Sequence, residues 1–225
     1  MIRVFKFGGA SVKDADSVRN VARVLSLFKY DKLAVVVSAM GKTTNAFERL
    51  LNACYFNRQK IEEEFNFIRD FHFEIIDGLF ADKNHNLFTD MENIFRIIKE
   101  RVSLPHSDNY DYDYDQLVSA GEIISTKIIS EFLNSEGLEN RWVDARAVIR
   151  TDNTYREARV DWAKTEELVK NVINFNDINI YVTQGFIGGT SENLSTTLGR
   201  EGSDFSAAIL AYCLNAVDVT IWKDV

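Results

Sequence analysis

Three short segments set charged side chains beside glycines, as a phosphate-handling site requires. The first is Lys6-Phe7-Gly8-Gly9-Ala10-Ser11, which follows the apolar run Ile2–Phe7. Glycine lets a ligand approach the backbone closely, and N–H groups at the start of a following helix attract anions. Lys6 adds a full positive charge; the bland reading is a tight turn with a solvated lysine. The second segment, Ser38-Ala39-Met40-Gly41-Lys42-Thr43-Thr44, invites comparison with a Walker A loop. That motif needs glycine five positions before Gly41, and Val36 stands there instead. A P-loop is therefore excluded, although the polar cluster can still line a pocket at the carboxyl end of a strand. The third segment is Leu198-Gly199-Arg200-Glu201-Gly202-Ser203-Asp204. Arg200 can clamp a carboxylate or a phosphate, and Asp204 can orient a lysine or a metal. Alternatively, Ser203 or Asp204 merely caps the helix that follows.

These segments need elements to hold them. Ile2–Phe7 and Leu33–Val37 read as strands, the second a continuous apolar run suited to burial on both faces. Between them, Asp14 or Asp16 caps a helix reaching about Tyr30, which makes a βαβ unit. Residues 45–101 are helical by period, and Pro105, the sole proline, ends that stretch. A further helix spans about Asp115–Asn134, short strands fit Trp142–Asp144 and Val148–Thr151, and Ala163–Asn174 is helical. Ile178–Thr183 alternates as a strand, Gly185–Gly202 reads as loop, Ser203–Leu214 as helix and Val217–Trp222 as a final strand. Strands alternating with helices give an α/β fold with a mainly parallel sheet, read as one domain over 1–225 with a helical insertion at about 45–105. The three glycine-bearing turns then converge on one sheet edge, in a cleft suited to a phosphorylated nucleotide and a second small anion.

Composition agrees with an ordinary folded domain. Of 225 residues, 46% are hydrophobic and 27% charged, which excludes a disordered chain. With 34 acidic against 26 basic side chains the net charge is −8, which argues against nucleic acid or an anionic membrane as partner. Arg3 and Lys6 interrupt the N-terminal apolar run, so no signal peptide is expected. Cys54 and Cys213 form no CxxC pair and are expected to be reduced and buried in a cytoplasmic protein. His72, His85 and His106 have no ligand spacing, so no metal-ligand set is assigned. The acidic-aromatic run Asp108–Asp115 reads as a solvated loop before a helix.

Taken together, the segments resemble the aspartate kinase family within the amino acid kinase superfamily. Lys6-Phe7-Gly8-Gly9-Ala10-Ser11-Val12 is similar to that family's KFGGTSV, with Ala10 for threonine. Val36 to Asn45 resembles VVSAMGxTTN, and Leu117-Val118-Ser119-Ala120-Gly121-Glu122 resembles LLSxGE. Gln184 to Gly188 resembles GFxG, Thr197 to Asp204 resembles TLGRGGSD, and Ile221 to Val225 resembles a shortened IWTDVDG. Two departures stand out: Glu201 occupies a family glycine position and Lys223 a family threonine position.

The resemblance implies a three-layer αβα sandwich of the amino acid kinase, carbamate kinase-like, fold, here ending before the family's C-terminal part. It implies ATP-dependent phosphorylation of L-aspartate to 4-phospho-L-aspartate with Mg²⁺, the first step toward lysine, threonine and methionine. On this implication Lys6 and Asp204 are catalytic, with Asp204 holding Lys6 or Mg²⁺. Ser38, Thr44, Glu122, Arg200 and Ser203 bind aspartate, Arg200 pairing with a carboxylate and Glu122 with the ammonium. Lys6, Gly8, Gly9, Ser11, Gly202, Lys223 and Asp224 contact the nucleotide. The full-length protein is expected to be a cytoplasmic homo-oligomer. Two other readings remain open: a kinase of the same superfamily with another acceptor, and a non-catalytic amino-acid-binding module.

Overall fold

The structure, a computed structural model, describes residues 1–223; Asp224, assigned above to nucleotide contact, lies outside the described residues. Strand β1 (Ile2–Phe7) passes through a 3-10 turn (Gly9–Val12) to α1 (Ala15–Ser26) and β2 (Lys32–Val37). Three long helices follow, α2 (Thr43–Phe56), α3 (Ile61–Leu79) and α4 (Asn86–Ser103), then α5 (Tyr110–Val118) and α6 (Ala120–Ser135). Next come β3 (Asn140–Val143), the single turn α7 (Ala145–Val148), α8 (Trp162–Val172) and β4 (Ile180–Gln184). A hairpin of β5 (Ile187–Gly189) and β6 (Ser195–Thr197) leads to α9 (Gly202–Leu214) and β7 (Asp218–Trp222).

The main sheet has the order β3-β4-β2-β1-β7, and every pairing in it is parallel. All its strands therefore end at one edge. The period of two along each strand sorts side chains between two cores. Phe5 and Phe7 of β1, with Leu33, Val35 and Val37 of β2, face a core that takes in Val18, Phe47, Ile68, Phe95 and Ile128. Val4, Ala34 and Val36 face the opposite core, with Val169, Ile209 and Leu210 of α8 and α9. The sheet is thus covered on both faces, which is why β2 reads as an unbroken apolar run. Helices α2, α3 and α4 contribute buried side chains to the first core. Pro105 follows α4 directly, and Leu104 before it is extended, the conformation that proline imposes on its predecessor.

Four expectations change. The first helix ends at Ser26, short of Tyr30, and Asp14 is its cap, accepting the Ser17 N–H at 2.7 Å. The helix expected from Asp115 starts instead at Tyr110 and is broken at Ser119, so most of the acidic-aromatic run is helical. Val148–Thr151 is no strand: Val148 closes α7, and Arg150 and Thr151 make only isolated bridges. Gly185–Gly202 contains the β5–β6 hairpin, whose strands of three residues are too short to show a period. Among the described residues, no helix is long and apolar enough to cross a membrane.

Candidate functional site

The loops after β1, β2 and β4 are stitched together through the main chain. Ser38 N–H donates to the Phe7 carbonyl at 3.1 Å, Gly41 N–H to Gly9 at 2.9 Å, and Gly185 N–H to Val37 at 2.9 Å. Gly9 is required by this contact, because a Cβ there would lie 2.7 Å from the Gly41 carbonyl oxygen and 2.8 Å from that of Ala39. Gly185 is required too: a Cβ would sit 2.6 Å from that of Ser203, so the first turn of α9 packs directly on the end of β4. The three segments singled out in the sequence therefore meet at the carboxyl edge of the sheet, around a cavity of about 1020 Å³.

Its charges come from both layers. Lys6 shares the face of Val4, toward α9, and is only 8% exposed. There its Nζ meets Asp204 Oδ1 at 2.6 Å. Asp204 lies in the first turn of α9, where the helix dipole favours a carboxylate. From the opposite layer comes Glu122, in the first turn of α6 and 2% exposed. Among the described residues, one of its oxygens, Oε2, has no hydrogen-bond partner. Burial raises its pKa to about 8, against weak opposition from main-chain N–H groups including that of Ala39. Burial therefore favours the neutral acid of Glu122 in the folded chain. Exposed Arg200 and Lys223 also line the cavity.

A wall is built by α5. Its buried Asp115 accepts the Thr197 hydroxyl at 2.6 Å, the Thr197 N–H at 2.8 Å and the Arg156 N–H at 3.0 Å. One carboxylate thereby fastens both the hairpin and the 152–158 loop to the helix. The solvated-loop reading of this run fails here, because three main-chain and hydroxyl donors replace the water that Asp115 gives up. Tyr114, one residue earlier, lines the cavity and donates to Glu48 at 2.9 Å. Burial and the Glu48 carboxylate push its pKa well up, so it stays a neutral donor.

Of the residues named from sequence, Lys6, Gly9, Ser38, Thr44, Glu122, Arg200, Gly202, Ser203, Asp204 and Lys223 line this one cavity. Gly8 and Ser11 stand behind it: Gly8 N–H points to the Trp222 carbonyl at 3.4 Å, and the buried Ser11 hydroxyl lies 3.5 Å from the same oxygen. Neither Ser203 nor Asp204 caps α9; the cap position belongs to Glu201, whose φ of 56° is left-handed and whose side chain makes no cap bond. Sequence reasoning missed Tyr114, Arg156 and Phe186, which also line the cavity. The helical spacing of Tyr110 with Tyr114 and Asp111 with Asp115 is a usable signal for the first, and Phe186 lies in the segment that resembles GFxG; Arg156 carries none.

The sequence model of the "Amino acid kinase family" matches residues 1–225. Lysine-sensitive aspartokinase 3 of Escherichia coli is 34% identical over 231 residues, covering 100% of this chain and 49% of its own length. The chloroplastic bifunctional aspartokinase/homoserine dehydrogenase 2 of Arabidopsis thaliana is 31% identical, covering 100% of this chain and 25% of its own. The crystal structure of E. coli aspartokinase III in complex with aspartate and ADP superposes with a TM-score of 0.87 at 33% identity, covering 99% of this chain and 49% of that one. The chain thus spans half or less of the length of these relatives. A match along its whole length, with the glycine-bearing turns gathered around one cavity, establishes that this chain belongs to the amino acid kinase family.

Proposed function

We propose that the cavity transfers the γ-phosphoryl group of MgATP to the side-chain carboxylate of L-aspartate, yielding ADP and 4-phospho-L-aspartate. The observation that carries this reading is the Lys6–Asp204 ion pair in one cavity with the buried acid Glu122 and the exposed guanidinium of Arg200. The attacking carboxylate has a reference pKa of about 3.9 and is already ionised at pH 7, so attack needs no general base. The obstacle is repulsion: two like unit charges 4 Å apart cost about 4 kcal/mol at an effective dielectric of 20. Catalysis here is positioning plus charge neutralisation. Lys6, fixed by Asp204, meets charge on the transferring phosphoryl group. Gly9 and Gly202 line the cavity without a side chain, which leaves room for phosphate to approach the backbone. Glu122 takes the ammonium of the acceptor, Arg200 a carboxylate, and Ser38, Thr44 and Ser203 supply hydroxyl groups. Aspartate and ADP occupy the related E. coli aspartokinase III, which supports this choice of ligands.

Among the described residues, no three His, Cys, Asp or Glu side chains gather into a metal cage. Mg²⁺ would arrive on the nucleotide, since this ion keeps several waters and takes one or two carboxylates alongside phosphates. Asp204, beside Lys6, would be the carboxylate to meet it. Homo-oligomerisation and a cytoplasmic location complete the proposal; both cysteines are free and buried, as a reducing compartment requires. The test is ADP release with L-aspartate, L-glutamate and a nucleoside monophosphate as competing acceptors. Release that depends on L-aspartate is expected; dependence on either other acceptor would reassign the reaction. Aspartate binding without nucleotide binding would make the chain a binding module.

A further inference from the structure

Arg156 projects into the same cavity from a loop that the proposed mechanism does not use. Its φ of 68° places a non-glycine residue in the left-handed region. Such a conformation costs roughly 1 kcal/mol and persists where surrounding structure enforces it. Here the enforcing contact is its own N–H, held at 3.0 Å by the buried carboxylate of Asp115. The guanidinium lies over the Tyr114 ring, 4.4 Å from its centroid. Tyr114 is in turn fixed by its bond to Glu48, and it lines the cavity together with Glu122. Tyr114 therefore holds an oriented guanidinium in the same cavity as a buried acid, the two groups that recognise the ends of an α-amino acid. Among the described residues, the carboxylate paired with Arg156 is Asp111 at 3.4 Å, an exposed and weak partner, with Arg156 46% and Asp111 56% accessible.

We propose that Arg156 is a second carboxylate clamp for the acceptor, opposite Arg200, exchanging Asp111 for a carboxylate of the bound amino acid. The inference rests on the amino-acid kinase reading above and adds to it a residue outside the segments that carry the family resemblance. An acceptor with two carboxylates presents two negative groups, and Arg200 and Arg156 on separate loops let the site demand both. Tyr114 acts as a positioning residue by holding the guanidinium plane for two parallel N–H bonds. Arg156 is thus a determinant of specificity for a dicarboxylic amino acid.

The test compares Arg156→Gly, Arg156→Lys and Asp111→Asn with the wild type in steady-state kinetics, using the full-length enzyme, alongside thermal denaturation. Glycine suits a φ of 68°, so Arg156→Gly should be at least as stable as wild type. Loss of a charge-assisted clamp should raise its KM for L-aspartate about 10-fold or more, with KM for MgATP within about twofold. Arg156→Lys should keep the charge but lose the paired geometry and recover only part of that affinity. Asp111→Asn should lower KM for L-aspartate. An unchanged KM for L-aspartate in Arg156→Gly, or equal rises for both substrates, would overturn the proposal. Wild-type enzyme that neither binds nor phosphorylates L-aspartate would instead overturn the functional reading, and this inference with it.

Discussion

Replacing Glu122 by glutamine tests how the cavity stores electrostatic energy for its ligand. In the folded chain burial raises the Glu122 pKa to about 8, against 4.5 for the free side chain. A group raised in this way contributes stability that is fully present below pH 4.5 and is lost as pH climbs through 8, because the unfolded chain gives up its proton first. Each pH unit in that window is worth about 1.4 kcal/mol. Between pH 4.5 and pH 7 the Glu122→Gln protein should therefore gain about 3 kcal/mol relative to wild type. For a chain of this size that corresponds to roughly 6–12 °C in Tm. Urea titrations at pH 4.5, 6, 7 and 8 read the difference directly. Aspartate should reverse the effect in the wild type, since an ammonium beside Glu122 favours the ionised form. Binding at pH 7 should then release up to about one proton, visible as a dependence of calorimetric heat on buffer ionisation enthalpy. The glutamine variant should bind weakly and release none. A stability difference that stays flat from pH 4.5 to 8 would refute the reasoning, because it would mean that Glu122 ionises in the folded chain as readily as in the unfolded one.

Lys6→Ala should cost about 1–3 kcal/mol, since it strands the partly exposed Asp204, and should lower phosphoryl transfer about 100-fold to 1000-fold while the chain stays folded. Circular dichroism and single-turnover transfer separate the two, and an active, folded variant would remove Lys6 from the mechanism. Glu201→Gly should add about 1 kcal/mol of stability by relieving a left-handed residue. It should also tighten MgADP binding in calorimetry by removing a carboxylate from the phosphate end; unchanged stability and affinity would show that Glu201 is neither strained nor repulsive.

Local chemistry made much of this architecture legible before any coordinates. The continuous run Leu33–Val37 announced a strand buried on both faces, and Lys6 after alternating Ile2–Phe5 announced a cation at a strand end. The acidic-aromatic run misled because its polarity suggested water, whereas Asp115 is desolvated by donors from Thr197 and Arg156, both distant in sequence. No local pattern can reveal such partners. The β5–β6 hairpin was hidden for a different reason: three-residue strands have no period to read. Arg156 depends on both, since its orientation comes from the Asp115 contact and its target from the position of Tyr114. Glu122 was readable as a residue but not as a neutral acid, because its pKa is a property of the packed interface between α6 and the loop after β2.

The central claim is that a carboxylate of aspartate becomes an acyl phosphate in this cavity. Hydroxylamine traps acyl phosphates as hydroxamates, so the direct measurement is hydroxamate formed from L-aspartate and MgATP by the full-length enzyme. The account predicts hydroxamate in amounts matching ADP, abolished by Lys6→Ala. Release of ADP without hydroxamate would contradict it.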